Sequence, residues 1–332
     1  MGHLESELAS VERSRKVSIA PMMDCTDRHF RYFLRLISRN ILLYSEMVVT
    51  AALLKGNHRK FLDFDPFEKP VAFQLGGNDP KDLAVCSKIV EDTGYDEINL
   101  NIGCPSGRVK NGGFGACLMA DPRLVAECVY EMQQTVSIPV TIKTRIGIDQ
   151  HDSYSQLHHF VGSISKAGCK TFIIHARKAW LKGFSPKQNR IIPPLMYDFV
   201  YQIKNDFPQL SIIINGGIKD MDQVEDHLLK VDGVMIGREA YQNPYFLSQI
   251  DRRIFNDNHP ILSRQQILNA YLPYVQKQLN AGVRLHQITR HIFGIYHAAK
   301  GARHWRSYLS DNTFKKHAST EPLIEAMARI AA

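Results

Sequence analysis

Long apolar runs are missing from this 332-residue sequence. No stretch approaches the roughly 18 residues needed to span a bilayer, so a membrane-spanning chain is not expected. The six cysteines, at 25, 86, 104, 117, 128 and 169, include no pair with the two-residue gap of zinc or iron–sulfur ligands. Free thiols in a reducing compartment are expected, with no metal. Also missing are a G-x-G-x-x-G run after a first strand and a G-x-x-x-x-G-K-[ST] run, which argues against a Rossmann or P-loop nucleotide site. The opening MGHLESELASVERSRK has three glutamates and no apolar core. It reads as a leader over residues 1–16, loose or helical, rather than a signal peptide. A cytoplasmic location follows by default.

Acidic residues are scarce in one place. Residues 261–332 hold ten Lys/Arg against three Asp/Glu, a net +7, whereas residues 1–260 carry a net +1. A compact basic segment on a nearly neutral body suggests a polyanionic partner. On charge alone, a solvated basic helix surface is an equal reading.

What is present is a strand–helix alternation. Short apolar runs stand at 17–20, 41–46, 71–77, 97–103, 140–147, 171–177, 211–217 and 233–238. Helix-like stretches lie between them, at 27–38, 80–94, 122–136, 153–167, 195–206 and 222–230. Eight such units predict a parallel sheet closed into a (β/α)8 TIM barrel, with an open doubly wound sheet as the alternative. Beyond residue 244 only helical patterns remain, such as the stripe Ile267, Leu268, Tyr271, Leu272, Val275 and Leu279. The expected organisation is a leader (1–16), a barrel with the catalytic site (17–243) and an all-helical C-terminal domain (244–332).

Barrel enzymes keep their chemistry at the C-terminal ends of the strands. Those positions hold Pro21, Met22, Met23 and Asp24, then Glu46, Gln74, Asn101 and Cys104, then Lys143 and Arg145, His175 and Arg177, Asn215, Gly216 and Gly217, and Gly237 and Arg238. Polar groups converge there although the strands themselves are apolar. NGG and IGR, ending the last two strands, suit a phosphate cradled by backbone N–H groups, with Arg238 adding charge. Two ordinary glycine turns are the plain alternative. A flavin mononucleotide (FMN) fits: phosphate on those loops, Lys143 at the electron-rich ring edge, Gln74 hydrogen-bonded to the ring, and residues 21–23 behind it. A lysine inside the apolar run TIKTRIG needs an anionic partner. A lone cysteine is most often a small buried hydrophobe, which is the reading for Cys86, Cys117, Cys128 and Cys169, and Cys25 is a packing residue of the first loop. Cys104 differs, because NLNIGCPSG places it where the chain leaves a strand. The histidines at 286, 291, 297, 304 and 317 read as helix-surface or packing residues.

The runs PMMDCTDRHFR, VAFQLGG, INLNIGCPSGRVKNGGFGACLM, IKTRIG, HAR, INGG and IGR together resemble the tRNA-dihydrouridine synthases, from about residue 17 to 310. HARKAWLKGFSPKQNR and KGARHWR resemble the bacterial branch acting on uridines 20 and 20a of the tRNA D-loop. The resemblance implies FMN held by Pro21, Met22, Met23, Gln74, Lys143, His175, Asn215, Gly216, Gly217, Gly237 and Arg238. NADPH is the implied electron donor, with hydride passing to C6 of a flipped-out uracil and Cys104 protonating C5. It further implies that Asn101 and Arg177 hold the uracil. Lys187, Arg190, Lys300, Arg303 and Arg306 would contact tRNA, with Trp305 stacking beside the last three. A monomer without an obligate protein partner is expected. Ile191 stands where an acidic residue is expected from relatives. The rival reading is an FMN barrel that reduces a free pyrimidine or another small molecule, as dihydroorotate dehydrogenases do.

Overall fold

The computed structural model describes residues 2–56, 59–314 and 319–331. His317 therefore lies outside the described residues. Two compact units emerge, Met1–Met23 with Leu42–Gly237, and Asp24–Ile41 with Arg238–Ala332.

The first unit is a parallel barrel. Its strands are β1 (Val17–Ile19), β2 (Leu43–Val49), β3 (Val71–Gly76), β4 (Glu97–Ile102), β5 (Val140–Arg145), β6 (Thr171–His175), β7 (Ser211–Asn215) and β8 (Gly233–Ile236). Each pairs in parallel with its neighbour, and β1 pairs with β8. A parallel bridge from Ser18 to Leu42 closes the ring between β1 and β2, and the Ile19 N–H donates to the Leu42 carbonyl at 3.0 Å. The TIM barrel is thus the fold, and the open sheet is excluded. The crossover helices start on side-chain caps: Asp79 before Pro80–Thr93, Asp121 before Pro122–Thr135, Ser153 before Tyr154–Lys166 and Asp220 before Met221–Leu228. Gly94, at φ 98°, ends the first of these in the left-handed region. The leader forms the helix Gly2–Ser14.

Apolar residues fill the barrel centre: Ala20, Leu42, Tyr44, Ala72, Ile173, Ile213 and Met235. One charge sits among them. Glu97, fully buried at the start of β4, accepts from Arg15 Nε at 2.7 Å, Tyr44 hydroxyl at 2.6 Å and Thr141 hydroxyl at 2.7 Å. With three donors on the carboxylate the charge is compensated, and losing the Arg15 partner would cost about 3–5 kcal/mol. This network lies at the strand starts, opposite the end where chemistry is expected.

The second unit is all-helical, and its boundaries correct the sequence-based division at residue 243. It begins at Arg238 and takes in residues 24–41, so the helix Arg28–Ile37 belongs to it rather than to the barrel unit. The reason is the apolar face of that helix. Tyr32 stacks on Tyr274 at 3.9 Å and Phe33 meets Tyr271 edge-on at 5.4 Å, both partners lying on the helix Arg264–Asn280. Asp27 caps Arg28–Ile37 through His29 N–H at 2.9 Å, and its other oxygen takes Arg290 and His291, each at 2.9 Å. No helix among the described residues is long and apolar enough to cross a membrane.

Candidate active site

Cys104 sits just past β4, half-buried, in a turn tied down at several points. The side-chain oxygen of Asn101 accepts the N–H of Gly103 at 3.2 Å and of Cys104 at 3.0 Å. The Cys104 carbonyl accepts the Ala116 N–H at 3.0 Å. Gly103 lies against β5, where a Cβ would stand in ordinary contact, 3.4 Å from the Thr144 carbonyl carbon and 3.6 Å from Arg145 Cγ. Gly115, at φ 74°, leaves no room for a side chain, since a Cβ would come 2.7 Å from the Cys104 carbonyl oxygen. The turn is therefore fixed on both sides before any ligand arrives.

Next to it runs a ladder of amides. Gln74 donates to Asn99 at 2.8 Å, Asn101 donates to Gln74 at 2.9 Å, and Asn99 donates to Thr141 at 2.9 Å. Across the mouth, Lys143 Nζ donates to Asn215 Oδ1 at 3.0 Å, and Asn215 in turn donates to the Met235 carbonyl at 2.7 Å. Burial, with Arg145 adding repulsion, pulls the Lys143 ammonium down to about 7. The anionic partner anticipated for this lysine is not a protein carboxylate among the described residues. A half-buried cation held only by an amide suits an anionic ligand.

The ends of β6 and β7 form a cradle. Gly216 and Gly217 have φ of 116° and 79°. A Cβ at Gly216 would meet His175 Cε1 at 3.2 Å, and one at Gly217 would meet Leu195 Cδ1 at 2.6 Å and the Tyr197 hydroxyl at 2.8 Å. The backbone there is shaped for close approach. Tyr197 donates to the Gly216 carbonyl at 2.6 Å and so fixes the turn. His175 Nδ1 accepts the Arg177 N–H at 3.2 Å, which leaves Nε2 as the N–H of the neutral ring. Arg177 bonds the Pro193 carbonyl. Pro21 and Met22 are half-buried and Met23 is exposed beyond β1, and Gly237 ends β8.

The remaining positions divide by unit. Lys187, Arg190 and Ile191 are exposed on the loop after β6, Ile191 at 51%, with no acidic side chain beside Arg190 in sequence. Arg238, exposed, opens the helical unit, and Lys300, Arg303 and Arg306 are exposed on or next to its helix Ala302–Asn312. Trp305 is a correction. It is 1% exposed, donates to the Ile292 carbonyl at 3.2 Å and packs on Tyr296, so it is core and stacks on no base. Trp305 and Leu309 share the apolar stripe of the helix, one turn apart. His291 is likewise buried and bonded to Asp27, His286 stacks on Phe314, and His297 and His304 are exposed. Burial pushes the thiols of Cys86, Cys128 and Cys169 up to about 12, as suits inert packing residues.

Sequence reasoning placed Arg145 at a strand end without a role, and missed Asn189 altogether. Asn189 is fully buried in the loop after β6, where it accepts the Trp180 N–H at 2.7 Å and donates to the Trp180 carbonyl at 2.9 Å. Its only sequence signal is an asparagine between charged loop residues.

A parallel barrel with a polar, glycine-cradled mouth and a cysteine at a strand end defines an enzyme of the TIM-barrel class. A solved 2-naphthoyl-CoA reductase shares the fold with a TM-score of 0.55, at 11% identity, over 71% of this chain and 49% of that one. The chain belongs to the dihydrouridine synthase (Dus) family, whose model matches residues 18–331, and is a flavin-dependent oxidoreductase. It is 56% identical to the tRNA-dihydrouridine(20/20a) synthase of Shewanella oneidensis over 92% of this chain and 91% of that protein. The same-named protein of Synechocystis sp. is also 56% identical, over 94% and 93%. That of Escherichia coli (strain K12) is 53% identical over 98% and 94%.

Proposed function

We propose that the chain reduces the C5–C6 double bond of uridines 20 and 20a in the tRNA D-loop, with FMN as cofactor and NADPH as electron donor. The observation that carries this reading is the Cys104 turn, pinned by Asn101 at the barrel end where Lys143 and the Gly216–Gly217 cradle also open.

The residues fit the flavin. Gly216 and Gly217 hold positive φ angles with no space for a side chain, a turn past β7 whose backbone N–H groups suit a phosphate. Lys143 brings a charge without a carboxylate to the electron-rich edge of the ring. Gln74, His175, Asn215, Gly237 and Arg238 complete the set, with Pro21, Met22 and Met23 behind the ring. Bound FMN supplies a hydride to C6 of the uracil.

The chain's own residues do the rest. Asn101 and Arg177 hold the uracil. Cys104 donates its proton to C5, and the S–H electron pair stays on sulfur as thiolate. A thiol donor held in place by its backbone suits quenching an enolate. A uridine leaves its stack to reach a barrel mouth; Lys187 and Arg190 of the barrel unit and Lys300, Arg303 and Arg306 of the helical unit bind RNA backbone. A monomer in the cytoplasm meets these needs.

Incubation with NADPH and tRNA from a strain lacking dihydrouridine tests this, with the product mapped by position. Signal at 20 and 20a is expected. Signal at 16 or 17 keeps the reaction and overturns the positions. A yellow, NADPH-reducible protein giving no signal overturns tRNA as substrate and favours a free pyrimidine.

A further inference from the structure

Arg145, the last residue of β5, is 5% exposed. Its Nε donates to the Gly103 carbonyl at 2.9 Å, and its Nη1 donates to the carbonyls of Lys178 at 3.0 Å and Asn189 at 3.1 Å. One guanidinium thus ties the Cys104 turn to two points of the loop after β6. That loop is itself tied together by hydrogen bonds to buried Asn189, and Ala179 pairs with the loop after β5 through Ile148. It carries Lys187 and Arg190.

All three acceptors are main-chain carbonyls, and no carboxylate among the described residues pairs with Arg145. Its charge is uncompensated. Burial, with Arg190 and Arg177 adding repulsion, brings it down to about 10. Lys143, two residues earlier, is in the same condition. Cations held away from water without a counterion are costly. Arg145 Nε holds the carbonyl of Gly103, the residue before Cys104, so the guanidinium stands at the Cys104 turn.

We propose that Arg145 is a positioning residue for Cys104: it locks the Gly103–Cys104 turn to the loop after β6 and places a positive charge beside the thiolate left by proton donation. This rests on the function proposed above. The S–H bond breaks, the proton goes to C5, the electron pair stays on sulfur, and Arg145 stabilises that charge without taking a proton.

Two readouts on the flavin-loaded full chain test it. The first is alkylation of Cys104 by iodoacetamide at pH 8 without tRNA, followed on the Cys104 peptide by mass spectrometry. The second is tRNA reduction at saturating tRNA. Arg145→Met is expected to slow alkylation about tenfold, the effect of one lost neighbouring cation, and to lower kcat about 100-fold. Arg145→Lys keeps the charge without the fork. It is expected to restore alkylation to near the wild-type rate while kcat stays roughly tenfold low and KM for tRNA is unchanged. Wild-type alkylation in Arg145→Met overturns the charge role. Wild-type kcat in Arg145→Lys overturns the positioning role, and decides that role even if Arg145→Met fails to fold. If the wild-type protein forms no dihydrouridine, the proposed function fails, whereas the alkylation comparison still decides what Arg145 does to Cys104.

Discussion

Lys143 Nζ and Asn215 Oδ1 meet at 3.0 Å across the barrel mouth, from β5 to β7 with β6 between them. The bond orients the lysine but does not neutralise it. Burial therefore dominates, and the ammonium titrates near 7 instead of its ordinary 10.5. The folded protein then releases a proton between about pH 7 and 10.5 that the unfolded chain retains, so stability from this group rises with pH across that window. Below pH 7 the penalty is constant. In ligand-free protein, the wild type is expected to gain stability relative to Lys143→Met between pH 7 and 10, measured by paired urea unfolding. A pH-independent difference would contradict the assignment.

Asp27 anchors the helical unit. Burial works against its ionisation, but hydrogen bonds from His291 and Arg290 outweigh this and hold the carboxyl well below its usual range. Its contribution is fully present above the unfolded value near 4 and is lost as pH falls below that. Asp27→Ala removes a helix cap and leaves buried His291 without its acceptor. A loss of about 2–3 kcal/mol at pH 7 is expected, shrinking in acid. Denaturant unfolding at pH 7 and pH 3 checks both, and an equal loss at the two values counts against the ion pair.

Arg303 and Arg306 stand exposed on one helix while Trp305 between them points inward. The RNA contact proposed for them is then electrostatic, without stacking. Each alanine substitution is expected to weaken tRNA binding and reduce the log–log salt slope by about 0.7–0.9 per lost phosphate contact. Filter binding across a salt series reads the slope, and an unchanged value removes the contact.

The barrel was legible because eight apolar runs with strand-end glycines leave few other topologies, and the place of Cys104 just past a strand was legible from the glycine and proline around it. Three features were not. The helical spacing of Phe30, Phe33 and Leu34 marks an apolar face on Arg28–Ile37 but not its partner, so membership in the helical unit does not follow from the sequence. Trp305 lies among basic residues in sequence, yet the helical period turns it to the core. Arg145 binds carbonyls of Gly103, Lys178 and Asn189, and a main-chain acceptor leaves no mark on residue identity.

The central claim is that Cys104 delivers the C5 proton. Single-turnover reduction of unmodified tRNA by pre-reduced enzyme tests it most directly, comparing wild type with Cys104→Ala. The variant is expected to keep its flavin and its tRNA affinity while the rate falls by about 10²–10⁴-fold, the usual worth of a positioned general acid. A Cys104→Ala enzyme that reduces tRNA at the wild-type rate would contradict the account.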